Sequence, residues 1–162
     1  MTIQATLSWL EATPLSLAIA ESAWLFPTLE AIHVIGLTLV VGLIAVVDLR
    51  LLGVASLTWR AGDLNRTILP LTWSAFGLAA LSGGLMFTGK PSSYLANPFF
   101  VGKLALLALA GLNMTLFHHF LSPRVEAVDG AVASSAVKTS AAASLVLWIS
   151  IVALGRWIGF TI

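Results

Sequence analysis

The chain has 162 residues, 59% of them hydrophobic and only 9% charged, with a formal net charge of +1. A soluble domain is about 25% charged, so this composition, with a mean hydropathy of +1.00, argues against a water-soluble globule and predicts one membrane domain over residues 1–162. The lack of a basic run removes nucleic acid as a partner, and the lack of cysteine removes disulfides, iron–sulfur clusters and thiolate-ligated haem.

Residues 3–24 set Trp9, Leu10, Leu17 and Trp24 against Glu11, Ser16 and Glu21. This weak amphipathicity predicts an interfacial helix, broken near Pro14. It is not read as a signal peptide, because Glu11 and Pro14 interrupt it and the first basic residue is Arg50. A membrane span needs about 20 mostly apolar residues. Four segments meet that length, at about 28–52, 69–88, 99–120 and 137–158. Pro70 is expected in the first turn of the second, where a missing N–H does no harm. Asn97-Pro98 opens the third and Ser122-Pro123 closes it, since the residue before a proline resists helix. Connectors are expected at Trp59 to Asp63, at Gly89-Lys90-Pro91-Ser92-Ser93, and from Glu126 to Ser135. The predicted fold class is all-α: an integral membrane four-helix bundle preceded by an interfacial amphipathic helix.

Cytoplasmic connectors carry the excess of Lys and Arg. Arg50, Arg60, Arg66, Arg124 and Lys138 fall on one side, and Lys90, Lys103 and Arg156 on the other. The bias places both termini outside. Trp24 and Trp157 would then anchor the outer interface, and Trp59 and Trp73 the inner one.

Ionisable residues inside the spans carry the functional signal, since each costs roughly 2.5 kcal/mol or more unless compensated. His33 lies in the run Ile32-His33-Val34-Ile35-Gly36, and the first span meets Asp48-Leu49-Arg50 near its far end. His33 and Asp48 are fifteen residues apart, as are Lys103 and His118, so each pair falls on roughly one helical stripe. Facing stripes would make an outer cluster of Glu30, His33 and Lys103, and a second cluster of Asp48 and His118, with Arg50 as an optional third member. The clusters lie roughly 22 Å apart along the axis, so His33 and His118 cannot share one iron.

Three roles are open to His33: axial ligand to a b-type haem, helix contact with Glu30 or Lys103, and proton relay. The ligand reading takes Gly36, with Gly77, Ala80 and Gly84 on the second span, as room for a flat macrocycle. Met86 is the candidate sixth ligand, as Met partners His in some haem proteins. Lys103 and Arg156 would meet the propionates. His118 is a second candidate iron ligand, at a separate depth, and the adjacent His119 points about 100° away. Glu30 and His33 also have the Glu-x-x-His spacing of carboxylate-bridged metal sites, without the further carboxylates those sites use. The competing reading is a non-enzymatic membrane protein: a permease-like binder of small anions, or a subunit of a larger complex, with His33 and Lys103 in structural ion pairs. Besides the bilayer, the partners considered are a redox partner or a quinone, and the small-residue stripe permits a homo-oligomer.

His33, Gly42-Leu43 and Arg50-Leu51 in the first span, with Phe100, Lys103-Leu104 and Phe117-His118 in the third, give a spacing that resembles the HemJ-type protoporphyrinogen oxidases and, more loosely, CopD-like domains. These are small four-span membrane proteins. The resemblance implies a bacterial inner-membrane protein with b-type haem and a redox role, His33 being the ligand. Ala141-Ala142-Ala143 stands where HemJ-type chains carry an Asn-Glu pair, so the resemblance extends to haem rather than to protoporphyrinogen oxidation.

Overall fold

The computed structural model describes residues 2–55, 61–122 and 134–161, and of 61–66 the backbone alone. It is all-helical among these residues. The order is α1 (Ile3–Glu11), α2 (Pro14–Glu21), α3 (Leu25–Leu52), α4 (Ala61–Gly89), α5 (Pro91–Ala96), α6 (Pro98–Leu116) and α7 (Ser135–Ile158). α6 widens at its end into a π-helical turn, Phe117–Leu121. Four helical stretches are long and apolar enough to cross a membrane: Leu25–Leu52, Thr67–Gly89, Pro98–Leu121 and Ser135–Ile158. Leu81, Val146 and Ile149 are well exposed on their outer faces, as a lipid-facing surface requires. The expected positions of Trp59, Arg60, Arg124 and the 126–133 connector lie outside the described residues.

Three local expectations are corrected. α4 begins at Ala61, so Pro70 lies inside the helix rather than in its first turn. Neighbouring hydroxyls bond to the backbone around it, Thr72 donating to the Ile68 carbonyl at 3.0 Å and Ser74 to that of Pro70 at 3.0 Å. The connector after α4 is not irregular throughout: Pro91 starts the one-and-a-half-turn α5, its fixed φ suiting a helix start. The N-terminal segment does break before Pro14, with Thr13 capping α2 by accepting from Ser16 N at 3.3 Å. Its second half, however, docks on the bundle. Ser16 and Ile19 are buried, the Ser16 hydroxyl donates to the carbonyl of Thr88, and Ile19 lies against Gly89.

Two hairpins make the bundle. α3 runs along α4, α6 runs along α7, and the hairpins meet where α3 packs on α7. Among the described residues no Cα of α6 comes within 8 Å of one in α3 or α4. The main core gathers Val40, Ala75, Ala110, Trp148 and Ile151 from all four spanning helices. A smaller one, of Leu51, Val137 and Ala141, lies nearer the interhelical connectors.

The end holding both chain termini is closed by polar caps and aromatic rings. Asn97 caps α6 by accepting from Phe99 N at 2.9 Å, and its amide donates to Thr161 Oγ at 2.8 Å. Phe87, Tyr94 and Phe100 form a ring cluster, with Phe87 and Phe100 stacked 5.6 Å apart. Glu11 accepts from Ser92 N at 3.1 Å, tying α1 to α5. The opposite end is called the connector end below.

Candidate functional site

His33 sits on α3, in the half of the bundle nearer the termini, and its imidazole turns onto α4. Its Nδ1 lies 2.8 Å from the Ala79 carbonyl and 3.3 Å from Ser82 Oγ. A carbonyl only accepts, so the Nδ1 carries the proton. The Ser82 hydroxyl is already directed to the Leu78 carbonyl at 2.7 Å. The Nε2 is therefore the ring's lone-pair nitrogen. Glycine is required beside it: a Cβ on Gly83 would stand 2.8 Å from His33 Cε1.

Gly36 is buried, but against protein. A Cβ there would lie 3.0 Å from the Ala79 nitrogen, so the space it leaves is filled by α4 and opens no slot between these two helices. The stripe of Gly77, Ala80 and Gly84 does not lie on the buried face of α4. Added Cβ atoms on Gly77 and Gly84 would meet nothing within 4 Å. The α4 residues that are buried are Ala75, Ala79 and Ser82.

Lys103 on α6 is half-buried and runs along α7, where Gly155 makes room: a Cβ at that position would be 3.5 Å from Lys103 Nζ. Lys103 and Glu30 both lie within electrostatic range of His33, so the outer cluster is brought together loosely. The ion pairs of the competing reading are not seen among the described residues. Among the described residues neither His33 nor Lys103 has a carboxylate partner, and Glu30 is exposed. Glu30 also acts on Tyr94, whose phenol is pushed above its ordinary value, first by burial and then by that charge. Met86 is half-buried on α4, one turn beyond Gly83. Arg156 is exposed, its guanidinium 4.7 Å above the Phe160 ring.

The second cluster lies at the connector end. Asp48 and His118 line one cavity of about 190 Å³ between α4 and α6, backed by α3 and α7. Asp48 is 6% exposed. Ser144 lines the same cavity, and Asp48 Oδ2 has no hydrogen-bond partner among the described residues. Asn113 and Ser140 satisfy each other across the wall, the amide donating to the Ser140 carbonyl at 3.1 Å and the Ser140 hydroxyl to Asn113 Oδ1 at 3.0 Å. His118 rides on the π-helical turn, edge-on to Phe117, while His119 is exposed. No group of three or more His, Cys, Asp or Glu side chains converges as a metal site among the described residues.

Sequence reasoning missed three of these features: the Ser82 and Ala79 partners of His33, the Asn113–Ser140 pair, and the π-helical turn. The pair had a signal, a lone amide in an apolar span that must find a partner. The turn had none. Comparison with family models, curated proteins and solved structures gave no match to this chain.

Proposed function

We propose that the protein is a b-type haem-binding membrane protein with a redox role, His33 supplying an axial ligand. The observation that carries this reading is the 2.8 Å bond from His33 Nδ1 to the Ala79 carbonyl. Histidines that bind metals nearly always donate their other N–H in this way, which fixes the tautomer and raises the basicity of the ligating nitrogen. The separation of α6 from α3 and α4, whose Cα atoms stay more than 8 Å apart among the described residues, supports room for such a group. Lys103 is the cation placed to meet a propionate, and its lack of a carboxylate partner agrees with that use. Met86 remains the sixth-ligand candidate on this side of the bundle. When bound, the haem supplies a one-electron iron couple. The chain contributes the apolar surroundings and the held orientation of His33.

Protein purified from haem-supplied cells is expected to show a Soret band. His33→Ala should abolish or strongly alter it, and His119→Ala should leave it unchanged. A colourless wild type, or a normal band in His33→Ala, would overturn the reading. The unpartnered Lys103 then favours the second one, a non-enzymatic binder of small anions.

The charge bias supports an orientation with both termini outside, and the resemblance to HemJ-type chains is what supports a bacterial inner membrane. Fusion at the C-terminus should accordingly give active periplasmic phosphatase and a dark fluorescent protein. The reverse pattern would invert the orientation.

A further inference from the structure

We propose that the cavity between α4 and α6 binds a lipid-soluble hydroquinone whose phenolic hydroxyl donates to Asp48 Oδ2. The inference goes beyond the haem reading and does not need it, because the cavity lies at the connector end and His33 does not line it. It gives a site to the quinone-type partner considered from the sequence.

Asp48 is the starting point. Its carboxylate is almost wholly enclosed and one oxygen lacks a partner. A buried acceptor left unsatisfied costs about 1–3 kcal/mol, and more when charged. Three other polar groups on the wall are already used: Asn113 and Ser140 bond to each other, and Thr72 donates to the Ile68 carbonyl, while His118 lines the same cavity. The occupant must therefore bring a hydrogen-bond donor to Asp48 Oδ2.

The rest of the occupant is constrained by the walls. Apart from that polar corner the lining is apolar, with the rings of Trp73, Phe76, Phe117 and Trp148. Flat rings pack against such side chains face to edge or offset-stacked. An anion is disfavoured, because the free atom is an acceptor. A bare metal ion is disfavoured, because Asp48 is the single carboxylate on the wall and, among the described residues, no group of three or more His, Cys, Asp or Glu side chains converges. Access comes from the lipid, since the backbones of α4 and α6 do not close on each other. A donor-bearing aromatic head on an apolar body meets all of these conditions, and His118 beside the cavity is a second polar group for the far hydroxyl.

The test titrates purified protein with decylubiquinol under anaerobic conditions, reading quenching of Trp73 and Trp148 fluorescence. Its dimethyl ether and decylammonium serve as comparison probes. Decylubiquinol should bind about tenfold or more tighter than the ether, the value of a hydrogen bond to a charged acceptor. Asp48→Leu should remove that preference. Gly111→Phe should block binding by filling the cavity, as a Cβ there meets nothing within 4 Å and the fold has room for it. Equal binding of quinol and ether, no binding of either, or an unchanged preference in Asp48→Leu would overturn the proposal. Tighter binding of decylammonium would overturn it in favour of a cation site. These outcomes are read with or without a Soret band, so failure here and failure of the haem reading are separable.

Discussion

Gly36→Val is expected to be among the most damaging single changes in the chain. The added Cβ would stand 3.0 Å from the Ala79 nitrogen and 3.2 Å from its Cα. Both are backbone atoms and cannot rotate away, so the two helices must part. In a bilayer, helix association rests on van der Waals contact rather than on escape from water, so parting them forfeits the main attraction. Overpacking of this kind costs about 1–3 kcal/mol and occasionally more. The change should also spread to His33, because the Ala79 carbonyl that holds its Nδ1 moves with α4. Gly42→Val is the control. Nothing lies within 4 Å of a Cβ at Gly42, and its cost should be within about 0.5 kcal/mol of zero. Unfolding of the two variants by increasing SDS in mixed micelles distinguishes them. Equal midpoints would show that α3 and α4 are not in close contact at Gly36.

Ile151→Ala is expected to have a comparable or larger effect. Ile151 on α7 is 0% exposed and packs with Val40 of α3, also 0% exposed, in the central core. Truncation there removes the contacts that join the two hairpins. Ile→Ala changes at buried sites cost about 2–5 kcal/mol, the spread reflecting how far the surroundings collapse. The neighbouring Val152 is 41% exposed, and Val152→Ala should cost little. The same SDS titration checks both. Similar midpoints for the two variants would mean that lipid or detergent replaces the lost packing and that the seam between hairpins is loose.

How much of this was legible before the structure depends on polarity. The four spans were legible because hydropathy is a local signal, and so was the start of α6, marked by Asn97-Pro98, whereas the start of α4 at Ala61 was not. His33, Asp48 and Lys103 stood out because an ionisable residue in a span is costly. The packing faces were another matter. α3 is apolar all round, and lipid is as apolar as a neighbouring helix, so no periodicity marks the inward side. That is why the sequence did not single out Ala75, Ala79 and Ser82, the α4 residues that are buried. Which helices avoid each other was equally hidden. Nothing in the sequence says that α6 stands apart from α4, and the cavity holding Asp48 exists only because it does. The π-helical turn that carries His118 left no trace in composition either.

Each hairpin is made of helices adjacent in the chain, whereas the α3–α7 seam joins residues from its two ends. Synthesis proceeds from the N-terminus. The contact between His33 and Ala79 therefore needs nothing made after α4, and can form while α6 and α7 are still being translated. Asp48 has no such early partner. Ser144 and Trp148, which enclose it in the cavity, arrive with the last helix, and until then the carboxylate must wait at the membrane border or hold a proton. His33 and Asp48, on one helix, are thus settled at different times in the life of the molecule, the first during insertion and the second only when the final span has joined.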